Sequence, residues 1–206
     1  MNVTWLGHSC FLLESDGYRV VLDPYTDVDG YPPLKVSAHA VYCSHDHFDH
    51  NFRQGVTLLP GGKNPFAVRE IPSFHDDAGG KKRGTNTIRV FTADGVSVCH
   101  LGDLGHLLNQ KQIDAIGAAD VLLIPVGGVY TIDPEQAKQV IHQLHPRCAV
   151  PMHYRHAPYG IPNLGGVERF LELFCSGSVK TLPGAEFTVT GELPEILVPV
   201  WKREIG

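Results

Sequence analysis

Short, β-rich apolar runs open the chain: Val3 to Leu6, Cys10 to Glu14 and Tyr18 to Leu22, punctuated by Gly7 and Asp16-Gly17. Runs of this length between turn residues predict an opening β-meander. Val41 to Ser44 predicts another strand, and Phe66 to Ile71, Thr87 to Thr92 and Val96 to Leu101 continue the pattern, with Ala93-Asp94-Gly95 as a hairpin turn. From Leu104 to Ile116 the apolar spacing becomes helical, whereas Val121 to Val126 is apolar throughout, as in a strand buried on both faces of a parallel sheet. Asp133-Pro134 predicts a helix start, because aspartate caps free amides and proline suits the first helical position. Ala137, Val140, Ile141 and Leu144 supply that helix with its apolar stripe up to Pro146. A strand over Cys148 to Met152, an amphipathic helix over Val167 to Phe174 and a short strand near Phe187 to Val189 complete the reading.

Length and composition bound what this pattern can be. The 206 residues fit one domain, 1–206, large enough to bury a core without disulfides or a structural metal. At 43% hydrophobic and 19% charged, the chain has the composition of a soluble globular protein. No apolar run approaches the roughly 20 residues that span a bilayer. The start, Met-Asn-Val-Thr-Trp-Leu-Gly-His, lacks the basic flank and apolar stretch of a signal peptide, so a cytoplasmic location is expected. Five cysteines with no C-x-x-C spacing, mostly inside apolar runs, predict buried free thiols. A net charge of −5 argues against a broad nucleic-acid surface. The expected partner is a small-molecule substrate rather than nucleic acid or membrane, and an exposed sheet edge would allow a homo-oligomer.

Twelve histidines are the outlier of the composition, and three of them sit in one run, His45-Asp46-His47-Phe48-Asp49-His50. Imidazoles gathered this densely repel one another if protonated, and each neutral ring still needs a hydrogen-bond partner; a divalent cation removes both objections. In an extended stretch residues i and i+2 point the same way, so His45 and His47 can grip one ion. Asp49 and His50 fall beyond that stretch and suggest a second metal beside the first. Further on, His75, Asp103 and His153 each follow a predicted strand end, where a β-scaffold presents side chains to a shared edge.

At these residues the chain resembles the metallo-β-lactamase superfamily, with the motif order matching from near the first residue to at least His156. It is most similar to the small hydrolases of that superfamily, those like sugar-phosphate lactonases and N-acyl-phosphatidylethanolamine phospholipase D. The shared features are Trp5-Leu6-Gly7-His8-Ser9-Cys10, Leu22-Asp23-Pro24, Arg83-Gly84-Thr85-Asn86 and Gly102-Asp103. The resemblance implies an α/β fold, a four-layer αββα sandwich with its site along one edge. It also implies that His45, His47 and His75 hold one ion, that Asp49, His50 and His153 hold the other, and that Asp103 bridges them. Two metal ions are then the expected cofactor, zinc on the chemistry of a nitrogen-rich donor set, with manganese or iron also compatible.

Other residues carry two readings each. Asp23 either starts a turn or, as the resemblance implies, orients a liganding imidazole. His8 either satisfies local amides or lines the site. His106 and His156, close in sequence to proposed ligands, are candidates for substrate binding or proton delivery. Lys81-Lys82-Arg83 is either a solvated loop or a phosphate-holding one, and Gly127 to Thr131 either faces substrate or only makes a turn.

The expected activity is hydrolysis. A hydroxide shared by two ions attacks an ester, lactone or phosphodiester of a small, anionic or carbonyl-polarised substrate, with Asp103 and Asp49 as the carboxylates of the catalytic site. The rival is a dinuclear redox or binding protein that keeps the same ligands without hydrolysing anything.

Overall fold

Alternation along β1 (Asn2–Gly7) buries Val3 and Trp5 and leaves Asn2, Thr4 and Leu6 half-covered, as a strand with one face on a core requires. The computed structural model describes residues 1–201, so 202–206 of the expected domain lie outside the described residues. β2 (Cys10–Ser15) and β3 (Tyr18–Leu22) follow, then β4 (Val36–Ala38), β5 (Ala40–Tyr42), β6 (Val56–Leu58) and β7 (Ala67–Phe74). After these come β8 (Thr85–Ala93), β9 (Val96–His100), α1 (Gln110–Ile116), β10 (Val121–Pro125), α2 (Pro134–Leu144) and β11 (Cys148–Met152). The chain closes with α3 (Glu168–Leu171), β12 (Val179–Thr181), β13 (Glu186–Thr188) and β14 (Ile196–Val198).

Two Asp-Gly dipeptides set register. Ser15 pairs with Tyr18 across Asp16-Gly17, and Ala93 with Val96 across Asp94-Gly95. All four turn residues have positive φ, between 49° and 73°, the two-residue turn whose twist matches that of its flanking strands.

The strands form a five-stranded sheet in the order β13-β1-β2-β3-β5 and a seven-stranded sheet in the order β12-β14-β11-β10-β9-β8-β7. Side chains from both interdigitate in one core, Trp5, Phe11 and Leu13 from the smaller sheet meeting Ile88, Phe91 and Leu123 from the larger. Each such side chain, fully buried, contributes about 1.5–3 kcal/mol. On the outer face of the larger sheet α1 packs on β7, α2 on β10 and α3 on α2. The smaller sheet is covered by the 24–36 segment and the β4–β6 pair, through Tyr25, Val28, Tyr31, Leu34 and Val56. The four-layer αββα sandwich is therefore present, with one outer layer largely irregular. That cover explains why β2 is buried on both faces.

Two elements differ from the sequence expectation. The helix expected over 104–116 begins only at Gln110, because Asn109 accepts from the backbone of Gln112 and ends any helix upstream. Leu104 and Leu108 are apolar because they are buried, not because they share a helix face. The helix expected over 167–174 is regular only to Leu171 and continues as tighter i to i+3 turns; Val167 offers no side-chain cap. α2 has the Asp133 cap anticipated, accepting from the Gln136 amide at 2.7 Å, and the Gln136 side chain completes a capping box by accepting from the Asp133 amide at 3.1 Å. The strand near 187–189 joins β1 rather than the larger sheet. Cys10, Cys43, Cys99 and Cys148 are buried free thiols, while Cys175 is exposed. No helix among the described residues is long and apolar enough to cross a membrane.

Candidate metal centre

The ends of β5, β7, β9 and β11 meet at one edge of the sandwich, and the segments leaving them carry His45 to His50, His75, Asp103 and His153. All seven expected ligands converge there. His45, His47 and His75 bring ring nitrogens within 4.8 Å of one another, and His8, His50 and His153 do the same with a carboxylate oxygen of Asp49. Asp103 lies between the two groups: Oδ2 is 3.1 Å from His75 Nε2 and 3.2 Å from His153 Nε2, and Oδ1 is 3.2 Å from His50 Nε2. His45 Nε2 stands 3.1 Å from His47 Nδ1 and 4.0 Å from Asp103.

Behind the cluster, Asp23 organises two of the rings. Its Oδ1 accepts from the Ser44 amide and its Oδ2 from the Ser44 hydroxyl, both at 2.6 Å, while His50 Nδ1 donates to Oδ2 at 2.8 Å. With its proton committed to Asp23, the Ser44 oxygen accepts from His45 Nδ1 at 2.9 Å, so the His45 lone pair resides on Nε2, facing the cluster. Asn86 accepts from the Asp103 amide at 3.0 Å, and His100 lies 4.0 Å from Asp23 while donating to the Ser9 carbonyl. His8, Asp23 and His153 all adopt left-handed backbone, φ 51°, 44° and 53°, a conformation that is uncommon outside glycine and concentrates at functional sites.

The electrostatics suit a cation. Burial alone would raise the Asp103 carboxyl, but the facing imidazoles of His153 and His50 hold it well below the ordinary carboxylate range. At Asp23 burial is likewise outweighed, by His100 and His50, and the carboxyl is lowered to about 2. Burial and neighbouring His50 depress His45 to about 3, and burial with His153 depresses His8 to about 4, so both rings are neutral. Three ionised carboxylates crowd His50, pushing it well above its usual value against the effect of burial. His50 Nε2 and Asp103 Oδ1 are buried without a well-formed hydrogen bond. Neutral rings at His45 and His8, buried carboxylates at Asp49 and Asp103 and converging side-chain nitrogens and oxygens are the donor set that fits divalent metal ions.

The remaining candidates separate. His8, fully buried, sets Nε2 3.2 Å from Asp49 Oδ2. Arg83 lines a cavity of about 320 Å³ with His47, Phe48, Asp49, His75, Asp103, Tyr130, His153 and Ile161. Two expectations are corrected. His106 accepts from the Phe74 amide and donates to the Leu107 carbonyl, so both nitrogens serve local backbone and the ring does not line the cavity. His156 bonds the Tyr31 hydroxyl at 2.9 Å within an aromatic cluster that includes Trp5, Tyr154 and Tyr159, also away from the cavity. A larger cavity, about 610 Å³, lies beside Pro33, Leu34 and Trp201 and contains none of the cluster. Sequence reading gave Ser44 no role, took His100 as structural and noted Asn86 only within the shared Arg83-Gly84-Thr85-Asn86 motif. Ser44 carried a local signal as well, its place beside His45 at a strand end.

The family described as a β-lactamase superfamily domain matches residues 2–153. A metal-dependent hydrolase from Opitutus terrae is 31% identical over 197 residues, covering 77% of this chain and 86% of the relative. Another from Carboxydothermus hydrogenoformans is 28% identical over 204 residues, covering 80% and 89%. A solved structure from Thermotoga maritima, of the metallo-β-lactamase superfamily, is 38% identical with a TM-score of 0.75, covering 96% of this chain and 97% of that one. Since the family match runs through His153, the last member of the cluster, and the fold agrees over nearly the whole length, the chain belongs to the metallo-β-lactamase superfamily.

Proposed function

We propose that this protein is a metal-dependent hydrolase that holds two divalent ions, zinc foremost, and cleaves an ester, lactone or phosphodiester of a small molecule. The observation that carries the reading is the position of Asp103, whose two oxygens lie 3.1–3.2 Å from histidines of both donor groups. His45, His47 and His75 would hold one ion, and Asp49, His50 and His153 the other. Such a pair supplies an acidified water as nucleophile and polarises the carbonyl or phosphoryl oxygen under attack.

The chain's own residues do the rest. Asp103, ionised and almost wholly buried, presents one oxygen to His50 and the other to His75 and His153, and so ties the two donor groups together. Asp49 keeps its charge because the imidazoles of His50 and His8 beside it outweigh the effect of burial. His8 fixes the Asp49 carboxylate from behind, and Asp23 fixes His50 directly and His45 through Ser44.

Protein stripped of metal and titrated with zinc is expected to bind two equivalents per chain and, once loaded, to hydrolyse a member of an ester, lactone and phosphodiester panel, with chelation abolishing turnover. Purified protein containing iron, showing redox-dependent absorbance and no turnover on the panel, would transfer the site to the redox class. Asp23→Asn retains an acceptor for the Ser44 amide but removes the charge behind His50. Zinc affinity, read by competition with a chromophoric chelator, is expected to fall about 10–100-fold; unchanged affinity would remove Asp23 from the centre.

A further inference from the structure

A loop that binds no metal by itself is built with unusual care beside this centre. Asp76, the residue after His75, is buried, and its carboxylate accepts four backbone amides: Ala78 at 2.8 Å, Gly80 at 2.9 Å, Lys82 at 2.9 Å and Arg83 at 2.8 Å. One carboxylate thus determines the course of the whole 76–83 loop. The outcome is the position of Arg83, which reaches over the cavity to donate from Nη2 to the Val129 carbonyl at 3.2 Å, with its guanidinium 5.6 Å from the centre of the Tyr130 ring.

The receiving loop is equally constrained. Val129 has φ 61°, a left-handed conformation that is a true outlier for a β-branched residue and costs on the order of 1–3 kcal/mol. It is also 56% exposed, so packing of its side chain does not explain the strain. Lys82 is neutralised by Asp77 at 2.7 Å, whereas among the described residues Arg83 pairs with no carboxylate. A guanidinium has five N–H donors in a planar fork matched to a carboxylate or phosphate, and here one of them is used. Phe48, 56% exposed, Tyr130 and Ile161 line the same cavity of about 320 Å³. That is a small ligand pocket, so a molecule filling it touches Arg83, the apolar residues and the histidine cluster together.

We propose that Arg83 is the anchor of an oxyanion subsite, so that the hydrolase takes substrates carrying a carboxylate or phosphate group beside an apolar portion. The inference rests on the metal-dependent hydrolase reading for the bond that is cleaved, but the subsite itself is a property of Arg83. The Asp76 loop and the strained Val129 carbonyl hold the fork in place. Phe48, Tyr130 and Ile161 receive the apolar part.

Zinc-loaded protein is titrated calorimetrically with inorganic phosphate and separately with glutarate, with zinc content measured in the same samples. Arg83→Gln is expected to weaken binding of the preferred anion at least about tenfold, Arg83→Lys to lose less, and Lys81→Gln, which removes the same charge from the exposed neighbour, to stay within about twofold. Whichever anion binds more tightly identifies the group as phosphate or carboxylate. In parallel, the kcat/KM ratio of mono-para-nitrophenyl glutarate to para-nitrophenyl butyrate is expected to fall at least about tenfold in Arg83→Gln. Arg83→Gln binding both anions within twofold of the parent, or Lys81→Gln losing as much as Arg83→Gln, overturns the subsite. Failure to hydrolyse either ester counts against the hydrolase reading alone, since the calorimetric arm still decides the subsite.

Discussion

Asp103→Asn is expected to lower turnover about a thousandfold, roughly 4 kcal/mol in the barrier, with the fold intact. The residue is 1% exposed and the exchange conserves its shape. Its backbone position is held independently of the carboxylate, since the Asp103 amide donates to Asn86 Oδ1 at 3.0 Å. The carboxamide changes what faces the histidines. Where Oδ2 now lies 3.1–3.2 Å from His75 and His153, a neutral group with one donor end replaces an anion that serves both donor groups. In the metal-free protein an amide N–H can bond an imidazole lone pair, so thermal denaturation of apo protein should change little. Zinc stoichiometry should drop below two per chain. Steady-state kinetics at saturating zinc, paired with metal analysis, checks this outcome, and hydrolysis at the parental rate with two zinc ions bound would refute the assignment of Asp103.

The largest expected loss of stability comes from a residue with no chemistry at all. Gly127 follows β10, and a Cβ there would stand 2.2 Å from the His153 carbonyl oxygen and 3.2 Å from its carbonyl carbon. Both are backbone atoms, so no side chain can rotate away. The neighbouring chain must move instead, and that chain includes His153 and Tyr154 at the end of β11, the latter stacked on Trp5. Gly127→Ala is therefore expected to cost about 3–5 kcal/mol, measured by chemical denaturation, and to weaken zinc binding through displacement of His153. Gly177→Ala is the control. A Cβ at Gly177 meets nothing within 4 Å, and the change should stay within about 0.5 kcal/mol. Equal stability of the two variants would show that the β10 and β11 ends tolerate separation, and that the approach of Gly127 to His153 is not required.

These two sites differ in how far they could be read from the chain. Asp103 was legible because Gly102-Asp103 follows an apolar strand and stands in the right order with three histidine motifs. At Gly127 the sequence offers a loop that either faces substrate or only makes a turn, and the steric reason for glycine, the carbonyl of a residue 26 positions away, is invisible before β10 and β11 pair in parallel. His106 and His156 show the opposite error. Nearness in sequence to Asp103 and His153 suggested a share in the chemistry, yet the backbone of Phe74 and the hydroxyl of Tyr31 engage them elsewhere.

Local physics was readable from the sequence by itself. Alternating and uniformly apolar runs gave most of the long strands, two Asp-Gly dipeptides gave their turns, and Asp133-Pro134 gave the start of the longest helix, because each depends on residues a few positions apart. The chemical type of the site was readable too, since histidines and aspartates at strand ends have one economical use. Tertiary structure alone decided which buried groups stand behind the cluster: Asp23 on His50, the Ser44 hydroxyl between Asp23 and His45, Asn86 on Asp103. It also decided that Asp76 would carry Arg83 to Val129. The contacts of Asp23 with His50 and Ser44, of Asn86 with Asp103 and of Arg83 with Val129 join segments whose distance in space is set by sheet register and close packing, and no stretch of sequence short enough to be read for its own preferences contains both partners.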